Sequence, residues 1–104
     1  MADAAERALD ALGDESRRAI LLRLSQGPCS VQEIADGLPI SRPAVSRHLR
    51  LLGDAGLVGH RSEGTRNVYD LRAEGVEAVA DYVRTVWGEA MSRFAIFAEN
   101  TDER

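Results

Sequence analysis

A mainly α fold with one small β-hairpin is predicted by three observations. Apolar residues recur every three or four positions along most of the chain. Glycines, prolines and capping residues cut that pattern into five segments, and one stretch around Glu63-Gly64 alternates with period two instead. The 104 residues, 44% apolar and 29% charged, suit one small globular domain and not a disordered segment. No apolar run approaches the roughly 18 residues of a membrane span. Met1 to Asp10 carries three acids and one Arg, unlike a signal or transit peptide, so the expected location is cytoplasmic with no membrane partner. The single cysteine, Cys29, excludes an intrachain disulfide and a Cys-rich zinc cage.

Ala4 to Leu12 is a short Ala-rich helix with Ala5, Ala8, Leu9 and Leu12 on one face, ended by Gly13. Asp14 has the chemistry of an N-cap, with Glu15 favourable in the first turn of a second helix. Ala19, Ile20, Leu21 and Leu24 form its face, and Gly27-Pro28 stops it. Ser30-Val31-Gln32-Glu33 fits a capping box for a third helix of about two turns, faced by Ile34, Ala35 and Leu38. After Leu38-Pro39-Ile40, Ser41 caps a fourth helix with Pro43 in its first turn, where a missing N–H costs little. Val45, Leu49 and Leu52 fall within roughly 60° on a helical wheel and face the core. Two helices joined by a short turn, the second rich in surface Arg, are a helix-turn-helix over 30–53. Leu57–Ser62 and Thr65–Leu71 flank Glu63-Gly64 as a hairpin, and a hairpin directly after a helix-turn-helix is a wing, over 57–71. From about Glu74 to Glu99 runs one long helix.

Net charge is −4, from 13 Arg, no Lys and 17 acids, which taken as a total argues against nucleic acid. The distribution says otherwise. Residues 41–69 hold five Arg and two acids, plus both histidines, whereas 1–40 and 70–104 are acidic. Chance clustering is the bland reading of that basic window. On the fourth helix Pro43, Ser46, Arg47 and Arg50 cluster opposite Val45, Leu49 and Leu52, and Arg42 lies at its start. Arg can grip guanine O6 and N7 together, Ser adapts to base or phosphate, and the proline ring could meet a thymine methyl. The amides around Ser41 and Arg42 offer a phosphate site at the helix start. Arg61, Thr65 and Arg66 flank the wing tip and suit backbone phosphates, with Glu63 opposing. His48, near the border of the two faces, reads as a structural histidine hydrogen-bonded between helices, with a base contact as the alternative. Ser46 and His48 are two apart on a helix and point in different directions, so they are no nucleophile–base pair. No other catalytic constellation stands at interpretable spacing, and no enzyme or cofactor is expected.

The long helix repeats Val76, Ala80, Val83, Trp87, Ala90, Phe94 and Phe97, more apolar length than so small a domain can bury. A homodimer through the N- and C-terminal helices is the economical solution, with Leu9, Leu12, Val83, Trp87, Ala90, Met91, Phe94 and Phe97 at the interface. The alternative is a monomer whose long helix folds over its own core.

These residues resemble a known family. Ala11-Leu12-Gly13-Asp14-Glu15-Ser16-Arg17-Arg18-Ala19-Ile20-Leu21 is similar to the opening of the ArsR/SmtB bacterial winged-helix repressors. So are Ser30-Val31-Gln32-Glu33-Ile34-Ala35, Val45-Ser46-Arg47-His48-Leu49-Arg50-Leu51-Leu52 and Gly53-Asp54-Ala55-Gly56-Leu57-Val58, followed by Arg61, Gly64 and Val68-Tyr69-Asp70-Leu71. The resemblance covers roughly 9–71. It implies a homodimeric winged helix with its first and last helices at the interface, and groove-reading positions at Arg42, Pro43, Ser46 and Arg47. Many members sense metal through cysteines on the third helix or through Asp, His and Glu ligands on the C-terminal helices. Gln32 to Leu38 holds no Cys and no His follows His60, so the chain resembles the branch without a metal switch. The function implied is a dimeric, sequence-specific repressor of a palindromic operator in double-stranded DNA, its own promoter being one candidate. Two alternatives stand beside it. One is a winged helix that docks a protein and binds no DNA. The other is a repressor released by an unknown small-molecule effector, an apolar ligand near Trp87, Met91 and Phe94, or by oxidation of Cys29.

Overall fold

Side-chain caps set the starts of three of the helices. A computed structural model describes residues 4–102, leaving aside the side chains of Met91, Phe97 and 99–102. Its elements are α1 (Ala4–Ala11), α2 (Glu15–Leu24), β1 (Cys29–Ser30), α3 (Val31–Gly37), α4 (Arg42–Asp54), β2 (Val58–Glu63), β3 (Arg66–Leu71) and α5 (Ala73–Asp102). Asp14 is extended and accepts the Arg17 N–H, so it closes one orphan donor of α2. Ser30 and Glu33 form the reciprocal capping box of α3, the Ser30 Oγ accepting the Glu33 N–H at 3.2 Å and the Ser30 N–H donating to Glu33 Oε1 at 2.9 Å. Ser41 caps α4 by accepting the Ala44 N–H at 3.3 Å, with Pro43 in the first turn.

The core forms where α2, α3 and α4 meet. Ile20, Ile34, Val45, Leu49, Leu52 and Cys29 are fully buried there, joined by Leu24, Leu57 and Val58. From α1 the buried residues are Ala8 and Ala11, while Ala5, Leu9 and Leu12 are half-buried. The helix is therefore rotated from its expected face toward Ala11.

The hairpin is part of a three-stranded antiparallel sheet, in the order β1-β3-β2. Val58 pairs Leu71 at its base and Glu63 pairs Arg66 at its tip. Gly64, with φ +65, begins the two-residue turn, where a left-handed first position suits the twist of the strands. Two residues carry no periodicity, so the sequence does not announce β1. Its pairing, Cys29 with Tyr69 and Ser30 with Val68, exists only through β3. That pairing seats the start of α3 beside the wing.

The last helix is longer than expected, 30 residues, or about 45 Å at 1.5 Å per residue. Near its start it packs on the core through Val79, with Gly75 buried. Farther along, Tyr82, Val83, Val86, Trp87, Phe94 and Ile96 are exposed, Trp87 at 56% and Phe94 at 73%. The radius of gyration is 17.3 Å and the long axis 61 Å. A compact chain of this length has a radius of about 13 Å.

Candidate nucleic-acid interface

On α4, Arg42 at the start and Pro43, Ser46, Arg47 and Arg50 along the outer side are exposed, while Val45, Leu49 and Leu52 are buried. The helical period alone turns Pro43, Ser46, Arg47 and Arg50 away from the apolar residues, whereas Arg42, about 60° from Val45 on the wheel, is exposed because it begins the helix. Among the described residues Arg42, Arg47 and Arg50 make no hydrogen bond or ion pair, so their guanidinium donors are open to a ligand.

The wing differs. Arg61 Nε lies 2.9 Å from Glu63 Oε2, and Arg61 Nη1 lies 3.1 Å from Asp70 Oδ2. Residues 61, 63, 66 and 70 share one face of the hairpin, since side chains alternate along each strand and Glu63 is paired with Arg66 in register. Arg66 itself reaches back to α3, its Nη2 2.6 Å from Glu33 Oε1. Two arginines thus stand among three carboxylates, and the basic window read from the sequence narrows to α4. On the opposite face His60 and Tyr69 meet across the strands with ring centroids 5.2 Å apart. Thr65 is exposed at the tip.

Between α4, the start of α3 and the wing lies an open cleft of about 550 Å³, walled by Arg42 on one side and by Glu33, Thr65, Arg66 and Asn67 on the others. The Ser30 N–H, then the Ser30 hydroxyl, and more weakly Arg66 and Arg23 hold the Glu33 carboxyl below the usual carboxylate range. Glu33 is therefore a fixed anion at the mouth of this cleft. Sequence reasoning assigned it only to the capping box, and no local signal pointed to its partner 33 residues away.

His48 corrects an expectation. It sits half-buried between α4 and the α2 cap, its Nδ1 4.0 Å from Asp14 Oδ2, beyond hydrogen-bond range, and that buried nitrogen has no partner. Cys29 is fully buried, its Sγ 3.5 Å from the Gly27 carbonyl oxygen, which leaves its thiol no surface on which to meet an oxidant or a dimer mate in the folded chain. Among the described residues no three His, Cys, Asp or Glu side chains gather as a metal site, and no helix is long and apolar enough to cross a membrane. The proposed dimer residues divide as well. Leu12 packs on its own core, Leu9 and Ala90 are half-buried, Val83, Trp87 and Phe94 are exposed, and the side chains of Met91 and Phe97 lie outside the described residues. An apolar groove of about 310 Å³ lies nearer the core than Trp87, lined by Leu12, Leu21, Leu57, Leu71, Val76 and their neighbours.

A capped helix pair with an arginine-bearing second helix, backed by a three-stranded sheet that ends in a hairpin, defines a winged helix-turn-helix regulator. The bacterial regulatory protein arsR family pattern matches residues 14–59. The HTH-type transcriptional regulator Rv2034 of Mycobacterium tuberculosis is 47% identical over 90 residues, which cover 86% of this chain and 84% of that protein. An ArsR-like transcriptional regulator from Rhodococcus sp. RHA1 superposes with a TM-score of 0.75 at 27% identity, covering 97% of this chain and 95% of the other. A homodimeric winged helix-turn-helix DNA-binding domain from Mycobacterium bovis superposes with a TM-score of 0.69 at 33% identity, covering 88% and 84%. The chain belongs to the ArsR family of transcriptional regulators, and it is a regulator and not an enzyme.

Proposed function

We propose that this chain is a cytoplasmic, homodimeric repressor that reads a palindromic operator in double-stranded DNA. The observation that carries the reading is the set of three unpaired arginines on the exposed face of α4. A cation left without an internal partner on a recognition helix is available to a base edge or a phosphate without first breaking a contact. Arg42, Ser46, Arg47 and Arg50 act in the major groove, with Pro43 against a thymine methyl and the Ser41 end of α4 near a phosphate. Thr65 at the wing tip meets the backbone, and Arg61 and Arg66 lie beside it with their charges already paired to carboxylates of the chain. Two copies set their α4 helices in successive major grooves about 34–36 Å apart.

The dimer is supported by α5, whose exposed Val83, Trp87 and Phe94 repeat at helical spacing along a rod that extends beyond its own core. Burying them against a second copy removes apolar surface from water at about 25 cal/mol per Å². The homodimeric relative from Mycobacterium bovis has the same architecture.

The test is a fluorescence anisotropy titration of the protein on the DNA upstream of its own gene and on a scrambled duplex, at two salt concentrations. The reading expects tighter binding to the upstream DNA and a steep fall of affinity with salt on both. Absence of binding to either duplex at low salt would favour a protein-docking winged helix instead.

A further inference from the structure

Both arginines of the wing, where a winged helix would grip phosphate, already face a carboxylate of their own chain. One of those pairs joins two separate elements. Glu33 Oε1 accepts the Ser30 N–H at 2.9 Å and Arg66 Nη2 at 2.6 Å, so a single oxygen serves both the cap of α3 and the wing. Ser30 is itself buried and paired in register with Val68, two positions along β3 from Arg66. The carboxylate cannot swing out of the cleft without undoing the capping box. Arg42, across the cleft, has no such partner among the described residues.

We propose that Glu33 restrains sequence-independent binding, an internal stand-in for a DNA phosphate that neutralises Arg66 and confines backbone attraction to α4. The proposal rests on the DNA-binding reading above. Phosphates are the same at every sequence, so each free wing cation would strengthen binding to all duplexes alike. A cation already neutralised by a carboxylate releases few counterions when DNA arrives, and the carboxylate repels the approaching phosphate. Both side chains are about half exposed, so the pair is weak enough for DNA to open at a cost. Its consequence is lower affinity for every duplex and a shallower salt dependence, which leaves discrimination between sequences to the contacts of α4.

The experiment is Glu33→Gln in the full chain. Glutamine at the third helical position still completes a capping box, so the variant removes the charge and keeps the α3 start. Circular dichroism and the melting curve check that it folds. Binding to scrambled duplex should tighten, and the slope of log affinity against log salt should steepen by about 0.9, the value of one more phosphate contact. That corresponds to about threefold more affinity lost between 50 and 200 mM salt. Adding Arg66→Gln to E33Q should return the slope to that of the parent. Unchanged or weaker binding by folded E33Q overturns the proposal, because Glu33 would then position Arg66 for DNA. A gain that survives in the double variant overturns it too, since the effect would not run through Arg66. If the parent protein discriminates its operator and E33Q does not shift, this inference fails alone. If the parent binds no duplex at 50 mM salt, the DNA-binding reading fails and takes this inference with it.

Discussion

Gly75, in the first turn of α5, rests directly on the Gly56 carbonyl at the turn between α4 and β2. A Cβ at Gly75 would stand 2.7 Å from the Gly56 carbonyl carbon, 3.0 Å from Leu57 Cα and closer still to the Gly56 oxygen. These are backbone atoms and cannot rotate aside. The same junction is tied by the Arg72 N–H donating to the Leu57 carbonyl oxygen at 2.9 Å. The start of α5 is thereby seated on the end of the helix-turn-helix.

Gly75→Ala should therefore destabilise the fold by about 1–3 kcal/mol, as overpacking of a tight contact does. This holds although alanine is the better helix former by about 1 kcal/mol in an open helix. A thermal melt at fixed protein concentration should show a fall of about 4–8 °C per kcal/mol. An unchanged or higher melting temperature would mean that α5 is not seated on this turn.

The Asp14 carboxyl is held below the usual carboxylate range, chiefly by the Arg17 N–H that it caps, against a smaller opposing effect of desolvation, and further by the Arg17 and His48 charges. A carboxyl whose folded pKa lies below its unfolded value stabilises the fold above the unfolded pKa. That contribution is lost as pH falls through the folded value. Asp14→Asn keeps a capping oxygen and removes the charge. The parent should be the more stable at neutral pH, and the two denaturation curves should converge as pH falls below the usual carboxylate range. A gap that persists in acid would show that the charge is not what the cap contributes.

Arg47, exposed and unpaired at mid-helix on α4, should discriminate bases. Arg47→Ala is expected to reduce the preference for operator over scrambled DNA by about 1–3 kcal/mol, the worth of one bidentate guanine contact. The readout is the ratio of the two dissociation constants at one salt concentration. Equal losses on both duplexes would assign Arg47 to a phosphate.

Phe94, 73% exposed on α5, makes little contact within its own chain, so charging it should spare the monomer fold. Phe94→Asp should shift sedimentation from dimer to monomer and weaken operator binding roughly 10²-fold, since two linked half-sites become one. Emission of Trp87, the single tryptophan, should move to the red as its surroundings become wet. Sedimentation identical to the parent would place the interface elsewhere.

What could be read from the sequence is what acts within a few residues. Asp14, Ser30 and Ser41 cap helices because their acceptors reach amides three positions on, and Arg47 and Arg50 face outward because the helical period puts Val45, Leu49 and Leu52 on the other side. Strand alternation likewise puts Arg61, Glu63 and Asp70 on one face of the hairpin. The residues of the recognition face and the wing were legible for these reasons, whereas their charge state as a group was not. Net charge along a window counts Arg61 and Arg66 as free cations. Only the packing of β1 on β3 carries Glu33 to Arg66, and only the folding of the hairpin carries Asp70 to Arg61. The same holds for Gly75 on Gly56 and for His48 beside Asp14, pairs far apart in the chain. Periodicity and capping determined the elements and their outward faces. Tertiary packing decided which of the outward charges are already neutralised, because ion pairing depends on distance in space, and sequence separation does not supply it.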